Sequence, residues 1–406
     1  MSTATQYAYK VKDSRGRLIE GKVEAENEGA VADRLKEMGY RPLEVRLAAT
    51  GLEREIRFRR PRVKLKELAI FSRQFATMIN AGMSMLRTLS ILSEQSDSAE
   101  LKRVLSNVKA DVEAGNSLSA SFQKHPRAFP PLMISMVKAG EQGGFLDLSM
   151  RQIAESFESE VKLHGKVKSA MTYPIVVLVM AVLMVAAMLI FIVPVFSGLF
   201  KSLGGRLPFA TQVLVDASND MKYIGPLAAL ATVATVYLWR KHGKSEQVRN
   251  VVDPLKLRMP VFGKLFQKIA LARFARTLST LLKSGVPILA ALEITGDSAG
   301  NVVIQRALKD VAESVKGGET ISGPLRNHSV FPSMVVHMMA SGEETGALDE
   351  MLGKIAEFYD EQVETMTESL TALIEPLMIA FLGTLIGGMI VALYLPMFDI
   401  YNLVGN

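Results

Sequence analysis

Apolar residues return every three or four positions between Leu65 and Lys168, as at Leu68, Phe71, Phe75 and Met78. That is the period of a helix with one face turned to a core. The pattern is interrupted at Ala81-Gly82, around Asp97-Ser98, at Gly115-Asn116, at His125-Pro126 and at Gly143-Gly144. Glycine and proline interrupt helices for backbone reasons. The spacing therefore predicts a bundle of about six helices, the last over roughly 145–168.

The period is different ahead of this region. Residues 7–25 read as two short strands around the turn Asp13-Ser14-Arg15-Gly16. Asn27 is placed as a helix N-cap and Gly39 as the stop of that helix, before a third strand at 40–47. A small ββαβ module is expected over 1–52, of the kind that docks or packs. The stretch "EREIRFRRPRVKLK" at 53–66 is dense in arginine and lysine. It reads first as a solvated linker, and in a sharper reading as a contact for anionic lipid headgroups or an acidic partner.

Three stretches are apolar all round. "IVVLVMAVLMVAAMLIFIV" at 175–193 carries no charge. Its Ile, Val, Leu and Phe residues contribute roughly −4 to −8 kcal/mol to membrane insertion. "YIGPLAALATVATVYLW" at 223–239 is shorter and richer in alanine, and "PLMIAFLGTLIGGMIVALYLPMF" at 376–398 is again strongly apolar. Each predicts a transmembrane helix. Lys162, Lys166 and Lys168 precede the first, while Arg240, Lys241 and Lys244 follow the second. Positive flanks mark the cytoplasmic side. The intervening loop, 197–221, balances Lys201 and Arg206 with Asp216 and Asp220, with Lys222 at its edge, and is placed outside. Residues 1–66 contain no apolar signal segment, so the N-terminus is expected in the cytoplasm.

The chain also repeats itself. "FSRQFATMINAGMSMLRTLSIL" at 71–92 aligns with "FARTLSTLLKSGVPILAALEIT" at 274–295, an offset of 203, and Gly82 falls on Gly285. Leu118-Ser119 falls on Ile321-Ser322, and His125 on His328. After the loss of one residue, "MVKAGEQGGFLD" at 136–147 falls on "MMASGEETGALD" at 338–349. Gly140, Glu141, Gly144 and Asp147 thus match Gly342, Glu343, Gly346 and Asp349. Tyr173-Pro174 falls on Glu375-Pro376, so the first and third spans are equivalents. A bundle followed by one span ends on the side opposite its start. The second span brings the chain back, and both bundles lie on one side.

These readings describe a mainly α, polytopic membrane protein with a small N-terminal α+β module. They divide it into the module 1–52, a basic linker 53–66, a bundle 67–171, a span 172–196, an outer loop 197–221, a span 222–240, a cytoplasmic linker 241–268, a second bundle 269–369, a span 370–398 and a short outer tail 399–406.

The repeated G-E-x-x-G stretch reads as a turn between helices. Its glycines, Gly140 and Gly144, supply positive φ. Its acids, Glu141 and Asp147, sit near the start of the following helix, where carboxylates favour the dipole. The functional alternative is a surface turn that contacts partners. Catalysis ranks last, because a lone acid without a second acid, histidine or metal set has little to work with. Pro174 and Pro376 are placed at the starts of their spans, where a missing N–H costs least, and Glu375 at the membrane interface. Gly383 and Gly387 form a G-x-x-x-G that suits close helix packing.

Composition narrows the chemistry. Of 406 residues, 49% are hydrophobic and 22% charged, which suits folded domains joined to a few spans. There is no cysteine, so disulfides and thiolate metal sites are excluded. The formal charge is +6, but aromatics are only 7%, too few for the stacking surfaces of a nucleic-acid binder. "GKS" at 243–245 lacks the earlier glycine of a phosphate loop, since Leu238 occupies that position. His125 and His328 read as bend or capping residues. No catalytic set, cofactor site or metal site is expected.

The paired "F-x-R…G" helical pairs, "MPVFGKL" at 259–265 and both G-E-x-x-G-x-L stretches, in this order, resemble the inner-membrane platform proteins of type II secretion systems and type IV pili, the secretion protein F family. The resemblance covers nearly the whole chain. It implies a non-enzymatic scaffold in the inner membrane. Its partners would be a hexameric assembly ATPase, pilin-like or pseudopilin subunits, other inner-membrane components, membrane lipid and further copies of itself. Pilus assembly, protein secretion and DNA uptake all remain open. The rival readings are a transporter or a regulatory membrane protein with cytoplasmic helical domains. A transporter calls for ionisable groups at mid-membrane depth, and the spans contain none.

Overall fold

The computed structural model describes residues 5–12, 18–25, 28–38, 40–47, 63–202, 208–243 and 245–404. The expected turn at 13–16, Asn27, Gly39 and residues 53–62 of the basic stretch lie outside the described residues. The chain divides into two units, Met1–Pro61 and Arg62–Asn406.

In the first unit, β1 (Thr5–Lys12), β2 (Leu18–Ala25) and β3 (Arg41–Leu47) form an antiparallel sheet in the order β2-β1-β3, with α1 (Glu28–Glu37) between β2 and β3 in sequence. Tyr7, Tyr9 and Val11 alternate along β1, and Tyr7 and Val11 bury against Val31 and Leu35, one turn apart on α1. The β1–β3 register shifts between Lys10 and Val11, next to Pro42, which has no N–H to give the ladder.

The second unit is helical. The first repeat runs through α2 (Leu65–Asn80), α3 (Met85–Gln95), α4 (Ala99–Glu113), α5 (Leu118–Gln123), α6 (Pro131–Gly143) and α7 (Leu146–Ala187). A five-residue π-helical turn, Met188–Ile192, passes directly into α8 (Val193–Ser202), and α9 (Phe209–His242) follows. After α10 (Glu246–Arg258), the second repeat runs through α11 (Phe262–Lys283), α12 (Ile288–Ser298), α13 (Val302–Lys316), α14 (Ser322–Leu325), α15 (Ser333–Thr345) and α16 (Leu348–Val404). The breaks fall where turn chemistry demands them. Ser98 and Ser117 cap α4 and α5 through their hydroxyls, Pro131 opens α6, and Gly144 ends it in the left-handed conformation. Gly82 and Gly285 end α2 and α11 in the same way, at φ 82° and 71°.

Both repeats share one continuous apolar core. Phe75, Phe122, Phe129 and Phe274 are fully buried in it, and Phe122 stacks on Phe129 at 3.9 Å between ring centroids. Full burial of such a side chain is worth about 1.5–3 kcal/mol. Repeat-equivalent ion pairs clamp the long helices. Arg73 holds Glu158 at 2.7 Å, joining α2 to α7, and Arg276 holds Asp360, joining α11 to α16.

Among the described residues, three helices are long and apolar enough to cross a membrane. They differ from the expected spans in having no boundary at the bundle. The chain is helical throughout Leu146–Ser202, and α16 alone contains 57 residues, about 85 Å at 1.5 Å per residue. Pro174 lies inside α7, not at a helix start. Pro376 likewise lies inside α16. Each removes one helical hydrogen bond, and packing of the neighbouring helix holds the helix together there. Tyr173, Pro174 and Glu375 line one small pocket between α7 and α16.

Two stretches expected as connections are largely helical. The loop 197–221 is taken up by the end of α8 and the start of α9, because Phe196, Leu214 and Val215 pack with Val193 and Leu393. Two hydroxyls tie the ends together: Thr211 Oγ1 donates to the Ala392 carbonyl at 2.5 Å, and Ser218 Oγ to the Leu189 carbonyl in the π turn at 2.6 Å. A π turn shifts the hydrogen-bond register and leaves a carbonyl available to such a donor. The linker 241–268 holds α10 and the start of α11.

The α10–α11 junction is strained. Val261 has φ 68° and ψ −59°, and the Phe262 N–H donates to the Pro260 carbonyl across it at 2.8 Å, which makes a γ-turn of the rare left-handed kind. A β-branched residue there costs of order 1–3 kcal/mol. Val261→Gly is expected to stabilise the protein by about 1 kcal/mol and Val261→Ala by much less. Denaturant unfolding of the detergent-solubilised protein checks this, and equal effects of the two variants would argue against strain at this residue.

Candidate functional site

The repeated turns sit at the end of the bundle from which the long helices set out. Ser279 Oγ, near the end of α11, donates to the Asp349 carbonyl at the start of α16 at 2.7 Å. The Gly285 and Gly346 turns therefore share one end of their repeat. From Leu146 to Tyr173, α7 covers about 40 Å before its apolar segment begins. The turns form a tip remote from the membrane-spanning part.

Each turn is built by a division of labour among its residues. Gly144 and Gly346 take φ of 75° and 69°. Gly140 and Gly342 do something else. They are helical and buried, and an added Cβ at Gly140 would lie 2.4 Å from Ser149 Oγ and 3.1 Å from Leu146 Cα. At Gly342 it would lie 2.9 Å from Leu348 Cα. The expectation of positive φ holds for the second glycine of each motif and is corrected for the first, which is there so that two helices can cross closely.

The glutamates also differ from expectation. Asp147 and Asp349 do lie in the first turns of α7 and α16. Glu141 does not serve that helix. Its half-buried carboxylate accepts the Leu118 N–H, the Ser119 N–H at 3.0 Å and the Ser119 hydroxyl at 2.6 Å. It caps the start of α5 from a distance of 22 residues in sequence. Glu343 accepts the Ile321 and Ser322 N–H groups and caps α14 in the same way. Helix starts carry unpaired N–H groups and positive partial charge, and the carboxylate answers both. These acids are engaged inside the fold, and the exposed parts of the tip are Gln142, Gly143 and Gly144 in the first repeat and Glu344, Thr345 and Gly346 in the second.

Other site candidates find plain places. Gly82 and Gly285 are exposed turn residues with open space where a Cβ would be. Gly383 and Gly387 also have open space where a Cβ would be, so among the described residues no other helix packs closely on them. His125 and His328 occupy equivalent bends, where each accepts through its carbonyl from Phe129 or Phe331. Burial pushes the His125 imidazole below its ordinary value.

Sequence reading missed two charged clusters. Asp253 on α10 is almost fully buried, accepts the Val302 N–H at the start of α13 at 3.2 Å, and pairs with Lys256 at 3.2 Å. Nothing in its local pattern marks it. Arg273 reaches from α11 to Glu160 on α7 at 2.7 Å and to His164 Nε2 at 2.8 Å. Burial pushes the Glu160 carboxyl up, but the His164 hydrogen bond and the Arg273 charge outweigh it and hold it below its ordinary value of 4.5. A carboxyl with a lowered folded pKa contributes stability above its unfolded pKa and loses it as pH falls through the folded one. The join between repeats is expected to weaken below pH 4.5, and Glu160→Gln to flatten that dependence. Hydrogen exchange of α7 and α11 against pH reads this; an unchanged profile in the variant would remove Glu160 from the account.

The comparison with known families settles the lineage. The family described as type II secretion system (T2SS), protein F, matches residues 71–194 and again 274–396, and its N-terminal domain matches residues 3–46. The chain belongs to this family. The duplicated match has the same two-repeat division as the helices. The "Type IV pilus assembly protein PilC" of Thermus thermophilus is 42% identical over 97% of this chain and 98% of its own length. The protein of the same name from Myxococcus xanthus is 40% identical over 97% of this chain and 95% of its own length. The "Type II secretion system protein F" of Vibrio cholerae is 33% identical over 98% of this chain and 99% of its own length. The family thus includes relatives named for pilus assembly and for secretion, and this chain matches both kinds along nearly their whole length.

Proposed function

We propose that this chain is a non-enzymatic inner-membrane platform of a type IV filament machine, serving pilus assembly or type II secretion. It would couple a hexameric cytoplasmic assembly ATPase to the extraction and polymerisation of pilin-like subunits. The N-terminus and both bundles would lie in the cytoplasm, with the α8–α9 end outside.

The observation that carries this reading is the unbroken helix. α16 and the equivalent helical run of α7, the π turn and α8, each about 85 Å long, run from the tip turns through the bundle and on through the apolar span. Displacement at the tip is then passed to the membrane part by a single helix, with no loop in between to absorb it. The capping glutamates hold the tip turns to the bundle, which such a transmission requires. The names of the relatives support the same role.

The test places a photocrosslinking residue at Gln142 or Glu344 in the full chain in native membranes. An adduct with the assembly ATPase, identified by mass spectrometry, is expected at one or both positions. Adducts only at membrane positions such as Tyr223, and none at either tip, would contradict tip coupling. The purified chain alone is expected to hydrolyse no ATP.

A further inference from the structure

Both ends of α10 are held at the level where the apolar spans begin. At its start, three residues separate it from α9, a reach of at most about 15 Å. The apolar span of α9 ends at Trp239, and aromatic rings collect at the membrane–water boundary. Thr211 and Ser218, toward the other end of α9, bond to Ala392 and Leu189 at the far ends of the α16 and α7 spans. The Trp239 end is therefore the end at which α7 and α16 enter. Past its last turn, three residues lead from α10 into α11, whose first turns pack Phe262 and Leu265 with Val167 of α7 and Leu370 of α16. Val167 and Leu370 lie within about 10 Å of Tyr173 and Glu375 along their helices, where the apolar segments start. A helix of about 20 Å tied at both ends to this level lies along the membrane plane.

One face of α10 is bound to the second bundle. Buried Asp253 accepts the Val302 N–H and pairs with Arg249 at 3.6 Å and Lys256 at 3.2 Å. Arg306 of α13 donates to Asn250 Oδ1 at 2.9 Å, and Leu257 packs against the core. Another face is apolar and open. Val251, Leu255 and Met259 recur every four residues, so they share one side of the helix. Val251 is 69% and Leu255 62% exposed. Val261 extends this row past the helix end, 54% exposed and in the left-handed conformation. A strained, β-branched side chain left open in this way points to a contact outside the chain. Arg258 and Lys264 are exposed on either side of Met259–Val261 in sequence, and Lys241 is exposed before the start of α10.

An apolar ridge edged by cations and lying in the plane of a bilayer surface has the chemistry of an interfacial helix. We propose that α10 is one. Val251, Leu255, Met259 and Val261 bed into the headgroup–acyl boundary of the leaflet at which α7 and α16 enter. Arg258, Lys264 and Lys241 hold anionic phospholipid headgroups. A soluble protein partner fits this face less well, because the ridge continues from the span of α9 and both its ends lie at membrane level. Asp253 fixes the ridge to the start of α13, so the second bundle is seated on the bilayer through α10 as well as held by its spans. The inference rests on the reading of α7, α9 and α16 as membrane spans and not on the filament role.

The chain has no cysteine, so engineered ones stand alone. Leu255→Cys and Met259→Cys in the full chain each carry a bimane fluorophore, and the purified protein is reconstituted in phosphatidylcholine vesicles. A minor fraction of the lipid is brominated on its acyl chains, as phosphatidylcholine in one set and as phosphatidylglycerol in another. Both labels are expected to be quenched about threefold more than the same label on Gln142→Cys at the tip, since an interfacial helix sinks about 5–10 Å toward the acyl chains. At Met259→Cys, brominated phosphatidylglycerol is expected to quench about fivefold better than brominated phosphatidylcholine, the local enrichment that one basic residue near a bilayer surface supplies. Arg258→Glu together with Lys264→Glu is expected to remove that difference with the unfolding midpoint unchanged. Val176→Cys, exposed on the α7 span, is quenched in every set if the spans lie in the bilayer, which separates failure of the span reading from failure at α10. Quenching at Leu255→Cys and Met259→Cys no greater than at Gln142→Cys, with Val176→Cys quenched, would overturn the proposal and leave the ridge to a protein partner. Equal quenching by the two lipids at Met259→Cys would contradict it as well.

Discussion

Alanine at Gly140 is expected to destabilise the first repeat by about 3 kcal/mol, the upper range for forcing an extra carbon into a packed contact. The new Cβ would meet Ser149 Cβ at 2.8 Å and Leu146 Cα at 3.1 Å. A side chain can turn aside, but the Leu146 backbone is the first turn of α7 and moves only if the helices part. Gly342→Ala meets the same obstacle at Leu348 Cα, 2.9 Å away. Gly144→Ala provides the contrast. There the φ of 75° is the difficulty and space is free, so the cost is the left-handed penalty of roughly 1–2 kcal/mol. Denaturant unfolding of the three variants should rank Gly140→Ala and Gly342→Ala above Gly144→Ala. The opposite order would mean that the first glycine of the motif serves conformation and not close packing.

Removal of the Glu141 carboxylate should cost about 2–3 kcal/mol, because Glu141→Ala leaves two N–H groups and a hydroxyl at the start of α5 without their acceptor. Hydrogen exchange should show lost protection at Leu118 and Ser119, with little change in α2. Glu141→Gln should recover part of the loss, since an amide oxygen accepts one of these bonds but its NH₂ faces donors. Glu343→Ala should repeat the effect at Ile321 and Ser322. A partner-binding glutamate would behave otherwise: stability would hold and only binding would fall.

These two residue pairs show where a linear reading stops. The helix breaks were legible because they rest on local properties of the chain, such as glycine at positive φ at Gly82, Gly115 and Gly144. The duplication was legible because it is a matter of sequence alone. The spans were legible as apolar runs. Glu141 was assigned to the wrong helix because its true partners lie 22 and 23 residues away, a separation that no helical period connects. Gly140 was misread for a related reason: a glycine needed for close approach looks, in sequence, like a glycine needed for a turn. Pro174 and Pro376 suggested helix starts, and the helices run through them because flanking packing outweighs one missing hydrogen bond. The join of the repeats through Arg273 and Glu160 was also out of reach, since equivalent sequences give no sign of which copy of a face is covered.

The central claim is that the two repeats are parallel, with both tips on one side of the membrane and the α8–α9 end on the other. Single cysteines at Gln142, Glu344 and Gln212, all exposed, test it with an impermeant thiol reagent applied to intact cells or right-side-out spheroplasts and then to lysed ones. The account predicts that Gln212→Cys labels from outside, while Gln142→Cys and Glu344→Cys label only after lysis. Labelling of Gln142→Cys and Glu344→Cys from opposite sides would contradict it.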